Sequence, residues 1–392
     1  TTFNTANMSL NGNTVLNLGN ATSGYNRSSG NALTMNANIT MASNSTINIG
    51  NGTTITGDVV GASSGQGTVN IIGNFTSGGH FGDLSASGAS DLEQINISKG
   101  NTFTLSAGHN ASSTRMNING TVTAQGSANI TSAVTMGDGS VLNLTNTGTG
   151  GGSTAARVTG AIDGYAGATG TLNVNGTWST AGVIGATRAI AAINLDSDND
   201  TASHTYTFAH NVNATTITLG TNDAQSSNTT LAISAAITVT GDIVSSGNAS
   251  IAGILDINEN TIFVDNIGTS SAAIERITVI TGKTATFKDS IYAGNITLET
   301  AGTASTSAAF AFNGTANTAY TVTGKIDGQE FGHGSITVNT GNVTFSNAIG
   351  SNMYLNTITV LDNAEMATTK NISANGTISV VGTLDINDAV TI

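Results

Sequence analysis

Short runs in which apolar and polar residues alternate recur along the whole chain, each closed by Gly or Asn. Thr14-Val15-Leu16-Asn17-Leu18-Gly19-Asn20, Thr46-Ile47-Asn48-Ile49-Gly50-Asn51, Val141-Leu142-Asn143-Leu144-Thr145, Thr216-Ile217-Thr218-Leu219-Gly220 and Thr383-Leu384-Asp385-Ile386-Asn387 are examples. A period of two puts Ile, Leu and Val on one face of an extended segment and Asn or Thr on the other. The pattern therefore predicts short β-strands. Helical periodicity is absent at useful length; Ser271–Ile277 comes nearest and runs straight into a strand.

The strands are organised into repeats. Val158-Thr159-Gly160-Ala161-Ile162-Asp163-Gly164 returns as Val322-Thr323-Gly324-Lys325-Ile326-Asp327-Gly328, and a looser copy stands at Ile55-Thr56-Gly57-Asp58-Val59-Val60-Gly61. Ten residues after the first glycine of each copy, another Gly opens a strand: Gly67-Thr68-Val69-Asn70-Ile71, Gly170-Thr171-Leu172-Asn173-Val174 and Gly334-Ser335-Ile336-Thr337-Val338. A second half-unit carries an Ile-Gly or Ile-Gly-like corner and a further strand, as in Gly182–Gly185 with Ala192–Leu195, Asn266–Gly268 with Arg276–Val279, and Ala348–Gly350 with Thr357–Val360. In the first copy extra residues around Ser85–Ala89 separate the two parts, which marks a surface protrusion on one face.

Asn-Gly pairs such as Asn51-Gly52, Asn119-Gly120 and Asn313-Gly314 are hairpin signals and would suit an antiparallel sandwich. A fixed repeat, small inward residues, Asn stacking and Gly-rich corners favour a coil of parallel strands. The expected fold is all-β, a right-handed parallel β-helix. It is read as one elongated solenoid over residues 1–392, with repeats near 55–157, 158–266 (a half-unit at 267–321) and 322–392. Val69, Ile71, Leu172, Val174, Ile336 and Val338 are expected in its interior.

Composition narrows the chemistry. Only 8% of the 392 residues are charged, and Pro and Cys are both absent. Proline would remove ladder donors; without cysteine there are no disulfides, thiolate metal sites or cysteine nucleophiles. The formal charge of −13, with ten scattered Lys and Arg, offers no basic face for nucleic acid. No apolar run approaches the length of a membrane-spanning helix, so no membrane insertion of this segment is expected. The chain opens Thr1-Thr2-Phe3 without a leader pattern, and a processed or trimmed start is expected.

Asp196-Ser197-Asp198-Asn199-Asp200 begins like a calcium loop. Thr201 then stands where that loop has Gly and Thr207 where it has Glu, so a solvated turn is the better reading, and Asp196, Asp198 and Asp200 remain a weak Ca²⁺ candidate. No other cofactor is implied. Gly148–Gly152 reads as a flexible loop, since no Lys-Ser/Thr follows it. His80, His109, His204, His210 and His333 form no ligand motif and are expected at the surface, with His204 and His210 on one side of a strand. Asp163, Asp256, Asp265, Asp327 and Asp385 lack basic partners at rung spacing, so the acid–base constellation of a polysaccharide lyase is not expected. Sequons such as those at Asn38 and Asn129 occur about as often as a Ser/Thr-rich composition produces by chance.

Taken in order, T-G-x-[IV]-[DV]-G, a G-[TS]-[ILV]-x-[IV] strand, an aromatic near Phe75 and Trp178, then I-G and I-N-[IL], make the chain from Ile55 onward resemble the passenger regions of rickettsial surface-antigen autotransporters. The resemblance implies a β-helical passenger displayed outside the cell, adhesion to host cells, and in some members a surface layer. The signal peptide and the translocator barrel of that family are not among these residues. Either the translocator has been cleaved off, or the chain is a related secreted or filamentous protein.

The functional expectation is a non-catalytic, exported cell-surface protein, either an adhesin passenger or a surface-layer or fibre subunit. A polysaccharide-binding or polysaccharide-cleaving β-helix protein is the alternative. Thr1–Leu18 alternates like an interior rung, and the chain stops in mid-strand at Ile392. Exposed strand edges template further pairing. Axial or lateral self-association is therefore expected, with a receptor on a host or neighbouring cell as the further partner.

Overall fold

A computed structural model describes residues 2–19, 32–83, 89–146, 155–196, 203–220, 229–246, 253–300 and 307–387. Asp198, Asp200, Ser85–Gly88, Gly148–Gly152 and the last five residues lie outside the described residues. The chain falls into two compact units, Thr1–Ile193 and Asn194–Ile392. Both are all-β; among the described residues there is no helix, and the strands stack in parallel as a β-solenoid.

In the first unit one stack runs through Val15–Leu18, Thr46–Ile49, Thr68–Ile71, Leu92–Ile97, Asn110–Ile118 and Asn129–Met136. Its register aligns Leu16, Ile47, Val69, Ile95, Met116 and Val134 as one inward column, and Asn17, Asn48, Asn70, Asn96 and Asn117 as the adjacent outward one. A second stack joins Phe75–Thr76, Thr102–Leu105, Thr121–Gln125, Val141–Thr145 and Thr171–Val174. Phe75 and Phe103 stack inside it at 6.0 Å.

The second unit repeats the scheme. Thr205–Phe208, Thr230–Ile233, Ile254–Ile257, Ile274–Val279, Ala293–Leu298 and Lys325–Gly328 form one parallel stack. Ile237–Ser245, Thr261–Phe263, Thr284–Phe287, Ala309–Asn313, Ser335–Phe345 and Thr357–Val360 form another. Its interior carries a run of rings in which Phe263 meets Phe287 at 5.3 Å and Phe287 meets Phe310 at 4.9 Å. The helical-looking segment at Ser271–Ile277 becomes a strand from Ile274, because β-branched residues at 274, 277 and 279 pack into the stack below.

All six residues expected inside are fully buried. Burying a Val, Leu or Ile side chain stabilises by about 1.5–3 kcal/mol, so these columns supply most of the cohesion. The Asn-Gly pairs are corners between parallel strands, not hairpins: Gly52 and Gly176 turn with φ of 73° and 92°. The repeated glycines have a steric origin. A Cβ on Gly160 would stand closer than 3.0 Å to the Ser132 carbonyl of the rung below. Gly170 meets two constraints, a φ of 82° and the Met136 side chain where a Cβ would stand.

Candidate functional site

The acids of the repeat are used by the backbone. Asp163 Oδ1 accepts the Thr187 N–H at 2.9 Å, and the equivalent Asp327 Oδ1 accepts the Asn352 N–H at 3.0 Å, while Asn352 Nδ2 donates to Asp327 Oδ2 at 3.2 Å. Each thus ties its rung to a corner one turn further along the chain. These are the Ile-Gly corners noted in the sequence, bridged as Ile162 to Ile184 and Ile326 to Ile349. Two acids two positions closer to the first glycine of the block do the same work. Asp58 Oδ1 accepts the His80 N–H at 2.9 Å, and Asp242 Oδ1 accepts the Asn266 N–H at 3.2 Å. The second of these belongs to a block, Thr240-Gly241-Asp242-Ile243-Val244, that mirrors Thr56-Gly57-Asp58-Val59-Val60 and was legible in the sequence. Asp265 Oδ2 accepts the Gly241 N–H at 2.8 Å, whereas Asp256 lies half-buried on its strand and Asp385 is exposed.

The weak calcium candidate is only partly visible. Asp196 is buried, so it does not belong to a solvated turn. It turns with a φ of 61°, and its Oδ2 accepts the Thr229 hydroxyl at 2.6 Å. A short hydrogen bond of this kind helps to hold a buried carboxylate. Asp198 and Asp200 lie outside the described residues, and no cluster of three or more metal-ligating side chains occurs among the described ones.

The histidines depart from expectation. His204 is 1% exposed, because its position falls on the inward side of the strand that buries Tyr206 and Phe208, and its ring packs edge-on to Tyr206. His80, His109, His210 and His333 are half-buried. His80 and His109 lie 5.3 Å apart between ring centroids, and His80 Nδ1 accepts the Asn110 N–H at 3.1 Å. That bond leaves the neutral ring's proton on Nε2, which turns its outer nitrogen into a donor and away from metal binding.

Two outward surfaces are regular. On the first unit the asparagine column is a hydrogen-bonded ladder: Asn48 donates to Asn17, Asn70 to Asn48, Asn96 to Asn70 and Asn117 to Asn96, at 2.7, 2.8, 2.8 and 2.8 Å. On the second unit Thr284 and Thr286 pair with Ala309 and Ala311, these with Ser335 and Thr337, and these in turn with Thr357 and Thr359, with no charge among them. Side chains two apart on a strand are roughly 6.6 Å apart, and successive strands about 4.8 Å, so the face is a lattice of hydroxyls and methyls.

Some strands also leave apolar side chains open. Thr2–Leu10 pairs along one edge with Leu33–Met41, and Phe3 stands opposite Met35. Phe3 is 47% exposed although Met35, its partner on the next rung, is buried, and Val15, on the outward face with Asn17, is 58% exposed. In the second unit Val380, Val381 and Ile386 are likewise open beside Ile378–Val380 and Thr383–Ile386. No helix among the described residues is long and apolar enough to cross a membrane. No family model, curated protein or solved structure matches the chain.

Proposed function

We propose that this chain is a non-catalytic structural protein displayed outside the cell, an adhesin passenger or the subunit of a surface layer or fibre. The observation that carries the reading is the stack of parallel rungs with regular, sparsely charged outward faces, an asparagine ladder on the first unit and a hydroxyl and methyl face on the second. The uncharged hydroxyl face of the second unit supports side-by-side packing, since little repulsion opposes it. Display outside the cell rests on the resemblance of the repeat blocks to autotransporter passengers, and a cell-surface receptor is the corresponding partner.

Sedimentation velocity over a wide concentration range tests the assembly, with species larger than the monomer expected to grow with concentration. A monomer at every concentration would remove the assembly half of the proposal. Incubation with pectin- or hyaluronan-type polysaccharides is expected to yield no unsaturated product. Turnover that is lost on replacing any single Asp would overturn the non-catalytic half.

A further inference from the structure

Four aromatic rings are strongly exposed among the described residues, Phe3, Tyr165, Phe331 and Tyr354, and only the last two touch each other. Their centroids lie 5.4 Å apart with ring planes at 72°, and they are 59% and 46% exposed. Both sit at corners, on successive turns joined by the Gly332 N–H to the Tyr354 carbonyl at 2.8 Å. Neither ring contributes to the core. A chain with so few aromatics has placed two of them against each other in solvent, where folding gains little from them.

Tyr354 is also one wall of an open groove of about 370 Å³, at the small end of ligand sites. Ser351 shares its turn, and Thr369, Lys370 and Ser373 come from the next. The floor is rigid: Ile349 donates to the Asn371 carbonyl at 3.0 Å, Ser373 to the Ile349 carbonyl at 2.9 Å, and Leu355 to the Ser373 carbonyl at 3.3 Å. The corner below is held by Asp327, whose carboxylate is occupied by Asn352. By contrast, the hydroxyls of Ser351, Thr369 and Ser373 and the ammonium of Lys370 have no hydrogen-bond or ion-pair partner among the described residues. Lys325 lies in the same column as the groove, since the Ile326 N–H reaches the Ala348 carbonyl.

We propose that this groove binds a carbohydrate, with one pyranose ring stacked on Tyr354 against Phe331 and an acidic substituent directed to Lys370. An aromatic plate receives the electropositive C–H face of a sugar by its quadrupole, and hydroxyl and ammonium side chains lining one groove match a ring fringed with hydroxyls. The two rings are far too small a patch for a stable protein interface, which needs about 800 Å² on each partner. The chain's charge of −13 disfavours a long polyanion, so the occupant is one acidic sugar within an otherwise neutral glycan. This inference rests on the groove alone and fails or stands separately from the assembly reading.

Saturation-transfer NMR and titration of the whole chain with glucuronic acid, glucose and N-acetylglucosamine test it. Millimolar binding is expected, with glucuronic acid several-fold tighter than glucose. Tyr354→Ala is expected to weaken every sugar by about tenfold or more, equivalent to about 1.4 kcal/mol. Lys370→Gln is expected to abolish the preference for the acid alone, while Tyr165→Ala changes neither. Circular dichroism of each variant should match the parent, since both groove side chains are exposed. No saturation transfer to any of the three sugars, or full binding by Tyr354→Ala, would overturn the proposal. So would a preference for the acid that survives Lys370→Gln, or anionic vesicles or single-stranded RNA binding through these residues in place of sugar.

Discussion

Three glycines close together in the first unit separate strain from collision. Gly167 has a φ of 64° and open space where a Cβ would stand; Gly160 has a Cβ position on the Ser132 carbonyl and no left-handed φ; Gly170 has both a φ of 82° and the Met136 side chain in the way. Alanine at any of them removes unfolded-state freedom, worth about 0.4–1 kcal/mol in favour of folding. At Gly167 the left-handed backbone costs an alanine about 1–2 kcal/mol, for a net loss of about 0.5–1. At Gly160 the obstacle is backbone of the rung below, which no rotamer change clears, so the strands must part locally. Overpacking costs about 1–3 kcal/mol, and a backbone obstacle belongs at the top of that range, giving a net loss of about 2. Gly170→Ala adds strain to collision and should lose about 3 kcal/mol. Urea unfolding followed by the β-sheet circular-dichroism signal measures all three. Midpoints are the quantity to compare, because solenoid arrays depart from two-state behaviour. If Gly160→Ala unfolds at the same urea concentration as Gly167→Ala, the steric account of the repeated glycine is wrong.

Replacing Asn70 by Ala removes two ladder bonds and replacing Asn117 removes one. At about 1 kcal/mol each, the urea midpoint of the first should fall about twice as far as that of the second. Phe287→Ala empties the centre of the Phe263–Phe287–Phe310 run and should cost about 3–5 kcal/mol by the same assay, the largest loss of any single change named here. The ion pair of Lys283 with Glu259, at 2.7 Å and partly exposed, is a surface pair, so Lys283→Met should shift the melting temperature by less than about 1 kcal/mol corresponds to. A larger shift would assign the pair a structural role.

The strands and their inward residues were legible because a half-buried strand writes its burial into alternate letters. Val69, Leu172 and Ile336 needed no more than that. The repeated glycines were legible as a pattern, but their reason, contact with a rung some 30 residues away, exists only in three dimensions. His204 was misplaced because a polar residue was assumed to face outward, while its own parity with Tyr206 pointed inward. The acids were read only as lacking basic partners, because the partners they do have are backbone N–H groups, which no side-chain pattern reveals. Phe331 and Tyr354 lie at corners, outside any alternation, and are 23 residues apart; only the length of a turn brings them together.

The asparagine ladder sets the gauge of the coil. Its partners are 31, 22, 26 and 21 residues apart along the chain, yet their amides meet at 2.7–2.8 Å on every turn. Circumference is therefore free and register is fixed. A longer turn and a shorter one keep their strands in step. Foreign sequence spliced into a corner would be carried outward as a decoration, whereas a single residue added within Asn70's strand would turn its apolar face to water. The same geometry makes the coil a measured support along which surface loops can be lengthened, exchanged or diversified one turn at a time.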